Sequence, residues 1–290
     1  MTGSDGIRIS LVMATIARTD EPRRFIESLL RQQIREVELI VVDQNADSRL
    51  ASVLGEYSSR LHWVRVESEP GLSKARNRGL PHARGEIIAF PDDDCIYPDS
   101  LLGIVARILD GHPEYDAVTG RVVGEDGKAY ARFDRAPGEL SAWNAWRRAA
   151  SVSLFVRRHV VERVGGFDET LGLGAGTPWG GGEDVDYPLR VIQAGYSIRY
   201  EPSIYVLHPN PLGEGYRVAA ERAHRYGAGV GRVWRKHGLP LWFVAYNLAR
   251  PLAGAGLSVI SGRIEKARYH WSAFRGRLAG WLAPMGTQAP

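Results

Sequence analysis

Three consecutive carboxylates, Asp92-Asp93-Asp94, directly follow the apolar run Ile87-Ile88-Ala89-Phe90 and Pro91. Such a run, ended by proline, reads as a strand buried on both faces, the kind found in parallel α/β sheets. Ligands of these sheets bind beyond the carboxyl ends of the strands. Three like charges placed there repel one another unless a cation or a donor group neutralises them. Carboxylate oxygens are hard ligands for Mg²⁺ or Mn²⁺, ions that usually keep substrate phosphates among their ligands. A solvated acidic turn is the plainer alternative. The position at the end of so apolar a strand favours a metal–diphosphate site.

The rest of the first half repeats the alternation of strand and helix. Strands are predicted over 7–14, 37–43, 63–66 and 87–90, with helices over 21–33, 48–58, 72–82 and 98–109 between and after them. That order implies right-handed βαβ units and a mostly parallel sheet flanked by helices. Further strands are expected at 117–123, 151–156 and 204–207. Residues 165–182 are glycine-rich, and a loop of that length in a compact domain is usually functional.

The loop runs into Trp179-Gly180-Gly181-Gly182-Glu183-Asp184-Val185-Asp186. Val185, Leu189 and Ile192 fall at i, i+4 and i+7, so a helix is expected to turn an apolar stripe inward and to end near Gly195. Its first turn then carries Glu183, Asp184 and Asp186, where the helix dipole stabilises carboxylates. Capping alone would explain them. Three glycines and a tryptophan just before favour a ligand-facing site, in which a carboxylate deprotonates a hydroxyl nucleophile. His208 ends the apolar run at 204–207; facing the same cleft, its imidazole beside carboxylates suits Mn²⁺.

Composition separates two regions. The chain has 290 residues, 44% hydrophobic and 24% charged, enough to bury a sizeable core. Residues 211–290 hold twelve Lys and Arg against three Glu, a net +9 within a total of +4, which leaves the first 210 residues at −5. A basic, aromatic tail on an acidic body points to an anionic surface as partner. A single cysteine, Cys95, excludes an intrachain disulfide and suits a reducing cytoplasm; packing explains it better than nucleophilic chemistry. The polar start lacks the basic and apolar regions of a signal peptide. Residues 239–260 are apolar except for Asn247, Arg250 and Pro251, long enough for a span. A central arginine there costs about 2.5–3.5 kcal/mol on insertion scales. A surface-lying or re-entrant pair of helices is expected instead, followed by a basic amphipathic stretch over 263–281. These helices sit at the inner face of the cell membrane, on the catalytic domain, or on a second subunit as in a homodimer.

In order and spacing, Val41-Val42-Asp43-Gln44-Asn45, Gly71-Leu72-Ser73-Lys74-Ala75-Arg76-Asn77-Arg78-Gly79, Phe90-Pro91-Asp92-Asp93-Asp94 and Gly182-Glu183-Asp184-Val185-Asp186 resemble the family 2 glycosyltransferases, inverting enzymes of the GT-A fold with nucleotide-sugar donors. The resemblance covers about residues 7–210. It implies a catalytic domain over 1–210, with a nucleotide-sugar half to about 97 and an acceptor half from about 98, and a helical appendage over 211–290.

Residue by residue, the resemblance implies that Thr15 and Asp43 contact the donor nucleoside, that Arg76 lies against the nucleotide, and that Asp93 belongs to the donor site. Asp92 and Asp94 are the ends of a D-x-D motif binding Mn²⁺ or Mg²⁺, with His208 completing the metal site. Asp184 is the general base, and Glu183 holds the acceptor beside Trp179. The family's usual Asp-Asp-Gly-Ser after the second strand reads Asp43-Gln44-Asn45-Ala46 here, a departure at the base and ribose contacts. The implied partners are a nucleotide-sugar donor (UDP-sugar, with GDP- and dTDP-sugars as alternatives) and a glycan or lipid-linked acceptor in cell-surface polysaccharide or glycolipid synthesis; no nucleic acid is expected. A sugar nucleotidyltransferase shares such a sheet and metal site but needs a Gly-rich phosphate loop after the first strand, which Ala14-Thr15-Ile16-Ala17-Arg18 lacks. A non-catalytic carbohydrate-binding scaffold has little need for both acidic clusters.

Overall fold

Three apolar runs of the first half become strands with no solvent face, while the third strand in chain order is partly exposed along its length. The computed structural model describes residues 6–128, 133–209 and 215–285. In it β1 (Ile9–Thr15) and β2 (Val37–Asp43) are buried at every position. They pair in parallel from Ile9↔Val37 to Thr15↔Asp43. β3 (His62–Glu67) joins β2, and β4 (Ile87–Ala89) joins β1, both in parallel. The crossovers are α1 (Asp20–Leu30), α2 (Arg49–Gly55) and α3 (Leu72–Gly79). α3 ends so close to the sheet that a Cβ on Gly79 would lie 2.5 Å from Val12 Cγ1. α4 (Leu101–Gly111) follows β4.

Beyond α4 come β5 (Ala117–Val123), β6 (Gly138–Glu139), β7 (Leu154–Arg157), α5 (Arg158–Val164), α6 (Glu183–Gln193) and β8 (Ile198–Leu207). Among the described residues the strands form one eight-stranded sheet, ordered β3-β2-β1-β4-β7-β5-β8-β6. β7 runs antiparallel to β4 and β5, so the sheet is parallel on the β1–β4 side and mixed beyond it. The strand expected at 151–156 starts as a 3₁₀ turn over Ser151–Ser153, where the Ser153 hydroxyl donates to the carbonyls of Ala150 and Gly120. β8 is longer than the run at 204–207. Its register against β5 shifts between Thr119 and Arg121, and Pro202 lies in the extra residues opposite. A polar, proline-bearing irregularity of this kind hides a strand from a search for apolar runs.

The chain forms two compact units: Met1–Phe167 with Tyr187–Asn210, and Asp168–Asp186 with Pro211–Pro290. The glycine-rich segment therefore groups with the C-terminal helices, whereas the sequence-based division falls at 210. In this second unit, α7 (Tyr216–Lys236) and α9 (Ile264–Leu282) meet backbone to backbone. A Cβ on Gly231 would sit 2.0 Å from the Arg277 carbonyl oxygen, and one on Gly280 would sit 1.9 Å from that of Ala228. The four-residue spacings Gly227–Gly231 and Gly276–Gly280 put the glycines on facing stripes.

The apolar stretch expected as a pair of helices is one continuous helix, α8 (Leu241–Ile260), with Pro251 inside it. Proline lacks the N–H that would bond the carbonyl four residues earlier, which belongs to Asn247. Arg277 Nη1 of α9 donates to that Asn247 oxygen at 2.8 Å, so the break in the ladder is filled from outside and the helix does not end.

Candidate active site

Strand register assembles the first group of functional residues. Thr15 and Asp43 end β1 and β2 side by side, and an isolated bridge pairs Ala14 with Asp92. Asp92, Asp43 and Thr15 therefore share the carboxyl edge of the parallel strands. A second bridge, Ile96↔Leu207, with reciprocal N–H···O bonds of 2.9 and 3.1 Å, brings the end of β8 beside the acidic run. That pairing delivers His208. Its Nε2 stands 3.2 Å from Asp94 Oδ1 and 3.7 Å from Asp92 Oδ2, while Nδ1 bonds the Pro209 carbonyl at 2.8 Å.

Each of the three carboxylates meets an arginine, and two of them share one. Arg76 Nη2 donates to Asp92 Oδ1 at 2.9 Å. Arg18 Nη1 bridges Asp93 Oδ1 at 2.5 Å and Asp94 Oδ2 at 2.8 Å. Burial pushes the Asp93 carboxyl up to about 6, opposed by the Thr15 hydroxyl and Arg18. Burial also pushes Asp94 upward, but His208 and then Arg18 outweigh it and hold its carboxyl below the usual range. For His208, burial works against the charged ring, yet Asp92 and Asp94 prevail and raise it to about 10. The sequence reading missed Arg18, whose only signal was its place just after the first strand.

At the end of β2, both oxygens of Asp43 are hydrogen-bonded. Its Oδ2 accepts from Arg65 Nε at 2.8 Å, and its Oδ1 accepts from the Asn45 backbone N–H at 2.9 Å and the Asn45 side-chain amide at 2.7 Å. Asn45 Oδ1 in turn accepts from the N–H of Ala17, the one non-glycine residue with positive φ (59°) among those described. Gln44 Oε1 accepts from the Gly71 N–H at 2.7 Å, tying this loop to the start of α3. The departure at Gln44-Asn45 thus serves as a brace between the loops after β1 and β2.

Arg76, which the resemblance assigns to the nucleotide, is fully buried beneath Asp92 with its guanidinium 5.0 Å from the centre of the Phe167 ring. Asn77 pairs with the Phe167 backbone in both directions, at 2.9 and 2.6 Å. Phe167 stacks on Tyr187 at 4.4 Å and meets Phe90 edge-on at 4.9 Å. The Ala-Arg-Asn run is therefore a fixed support for Asp92.

In the second unit, the Gly180 N–H donates to the Arg225 carbonyl of α7 at 3.2 Å, and Trp179 lies under the Arg232 guanidinium at 5.4 Å. Gly182, at φ +99°, accepts from the N–H groups of Val185 and Asp186 and so starts α6. The carboxylates of this turn differ in use. Asp186 is buried, bonded to His237 Nε2 and Lys236 Nζ, each at 2.8 Å, and Lys236 continues to Asp168 at 2.7 Å. Glu183 is buried and Asp184 half-exposed. Thr15, Asp43, Arg76, Asp92, Asp93, Asp94 and His208 belong to the first unit; Trp179, Glu183 and Asp184 belong to the second. The partners Lys236 and His237 escaped the sequence reading because some fifty residues separate them from Asp186.

Residues 10–161 match the model for Glycosyl transferase family 2, more than half of the chain. The chain belongs to glycosyltransferase family 2. Among curated family relatives, glycosyltransferase AglE of Haloferax volcanii is 28% identical over 231 residues, 74% of this chain and 72% of that protein. The succinoglycan biosynthesis protein ExoO of Rhizobium meliloti is 28% identical over 217 residues, 69% of this chain and 60% of its own length. The fold recurs in S. aureus TarS 1-349 in complex with UDP-GlcNAc, with a TM-score of 0.62 at 16% identity, covering 93% of this chain and 92% of that one. It recurs also in the mannosyltransferase PcManGT of Pyrobaculum calidifontis in complex with GDP-Man and Mn²⁺, with a TM-score of 0.63 at 20% identity, covering 93% and 87%. The sheet with its flanking helices is thus the GT-A fold of a family 2 glycosyltransferase.

The donor set of this glycosyltransferase fits a hard divalent cation. His208 Nε2 has a carboxylate oxygen of Asp94 at 3.2 Å and one of Asp92 at 3.7 Å, donor types that suit Mn²⁺ or Mg²⁺. Among the described residues, the group whose donor atoms all lie within 4.8 Å of one another is Asp94, Cys95 and His208, with Asp92 at its margin. Burial, then the neighbouring carboxylates, push the Cys95 thiol well above the usual range, which disfavours the thiolate a metal would need.

Proposed function

We propose that this family 2 enzyme inverts the anomeric centre as it moves a sugar from a nucleoside diphosphate donor, in the first instance a UDP-sugar, to a hydroxyl of a glycan or lipid-linked acceptor. The observation that carries the reading is the convergence of Asp92, Asp94 and His208 with Thr15 and Asp43 at one edge of the parallel strands. The names of the relatives supply the setting: a succinoglycan biosynthesis protein supports cell-surface polysaccharide or glycolipid synthesis. UDP-GlcNAc and GDP-Man in the structural neighbours support a nucleotide-sugar donor, and Mn²⁺ in one of them supports a divalent ion.

The roles follow from the chemistry of each group. Asp43, held by Arg65 and Asn45, accepts from the nucleoside, with Thr15 beside it. Asp92, Asp94 and His208 hold Mn²⁺ or Mg²⁺, which when bound neutralises the departing diphosphate. Arg18 adds positive charge beside Asp93 and Asp94. Asp184 accepts the proton of the acceptor hydroxyl, while Glu183 and Trp179 position the acceptor.

Incubation with a panel of nucleotide sugars, with Mn²⁺ or with chelator, tests this. Metal-dependent release of nucleoside diphosphate that rises with added acceptor is expected. Release of pyrophosphate from a nucleoside triphosphate and a sugar phosphate would instead show a nucleotidyltransferase.

A further inference from the structure

α8 turns two chemically different faces outward and inward. Phe243, Val244, Pro251, Ala255 and Ser258 are buried. Trp242 (64% exposed), Tyr246, Leu257 (65%) and Ile260 (84%) recur at helical spacing on the opposite side, with Leu252 at its margin. α8 is the one helix among the described residues that is long and apolar enough to cross a membrane by length and composition.

The partner helix decides against a span. α9 lies along the buried face of α8: the His270 ring flanks Gly254, and Arg277 donates to Asn247. Between and beside those contacts α9 carries exposed Arg268 and Arg275. Burying α8 across a bilayer would carry these charges into hydrocarbon, a cost that intramembrane charges meet only when paired or facing a wet cavity. An orientation along the membrane plane keeps α9 in the headgroup region and buries only the outward stripe of α8.

A second copy of the chain fits that stripe less well. Arg250 borders it, over the Tyr246 ring at 5.9 Å, and α8 contains no acidic residue. Two copies packed face to face would bury Arg250 against a surface without a carboxylate. An anionic headgroup supplies the missing charge, consistent with the net +9 of residues 211–290.

We infer that the outward face of α8 is a membrane-docking surface, lying in the plane of an anionic bilayer with Trp242, Tyr246, Leu257 and Ile260 below the headgroups and Arg250 among them. Flotation of the full chain with phosphatidylcholine vesicles, with and without phosphatidylglycerol, tests it at low salt. Binding is expected to the anionic vesicles and to weaken as salt rises. Trp242→Ser combined with Leu257→Ser should lower the bound fraction about tenfold or more. Both side chains are exposed, so the melting temperature and donor turnover in solution should not change. Fluorophores on cysteines introduced singly at 246, 253 and 260 report depth, because Cys95 is buried. Equal shallow depth at all three is expected. Depth that changes steadily or peaks along the helix would overturn the in-plane arrangement in favour of a span. An intact protein left unbound, or a double variant that floats as well as the parent, would overturn the docking surface altogether. A dimer lost on the same substitutions would then assign the face to subunit contact.

Discussion

At Asp94 one carboxylate stands between two cations, Arg18 on one oxygen and His208 on the other. This pairing lets three adjacent acids coexist at the end of a buried strand, and it makes the protein sensitive to pH. The His208 ring, raised from 6.5 to about 10, contributes stability that is fully present below about pH 6.5 and lost as pH climbs towards 10. Asp93, raised from 3.8 to about 6, acts in the same direction at lower pH: its contribution fades between those values. Thermal melts in chelator should therefore show a falling Tm from pH 6.5 to 10, and His208→Gln should flatten that slope. A metal ion must displace the proton from Nε2, so Mn²⁺ affinity should rise with pH across the same window. Of these residues, the acids were legible from their position after an apolar run and His208 from its place at a strand end. Arg18 was not, since nothing in the local sequence says that the loop after β1 folds back over Asp93.

Elements were legible where burial imposes a pattern and illegible where a distant group completes them. β1 and β2, buried at all positions, could be read directly, and so could α6 from its apolar stripe. The single helix α8 could not, because proline reads locally as a break and the repair comes from Arg277, twenty-six residues on. Arg277→Met should leave the Asn247 carbonyl without that donor and cost about 1–3 kcal/mol in chemical denaturation. In a Pro251→Ala background, where the backbone N–H is restored, the same substitution should cost clearly less. The first turn of α6 depends on distant groups in the same way. His237→Ala removes a buried partner of Asp186, two residues from Asp184, and the predicted loss is in kcat rather than in the KM for donor. A variant with unchanged kcat would assign His237 to stability alone.

At the scale of the whole molecule, the acceptor-side residues depend on the C-terminal helices. Gly180, Gly181 and Gly182 pack on α7 backbone, where a Cβ on Gly229 would meet the Gly181 carbonyl oxygen at 1.8 Å, and Asp186 takes its partners Lys236 and His237 from the end of α7. A chain cut at residue 210 should therefore lose transfer, even if it still binds donor through Asp43 and the Asp92–Asp94 run. The motif order and the parallel half of the sheet were legible in the sequence because both are local patterns. The grouping of 168–186 with residues beyond 210 was not, because it rests on close approach of glycine backbones, which leaves no hydrophobic period to read. The proposed reaction rests on a division of labour between two acidic clusters, one for metal and diphosphate and one for the proton. Its most direct measurement is calorimetric titration of UDP, or of the nucleoside diphosphate of whichever donor is turned over, with Mn²⁺ into Asp94→Asn and Asp184→Asn, alongside the transfer rate of each. Asp94→Asn should lose metal-dependent binding, whereas Asp184→Asn should bind like the parent and transfer about 10²–10⁴-fold more slowly. Unchanged Mn²⁺-dependent affinity in Asp94→Asn, or near-parental turnover in Asp184→Asn, would contradict it.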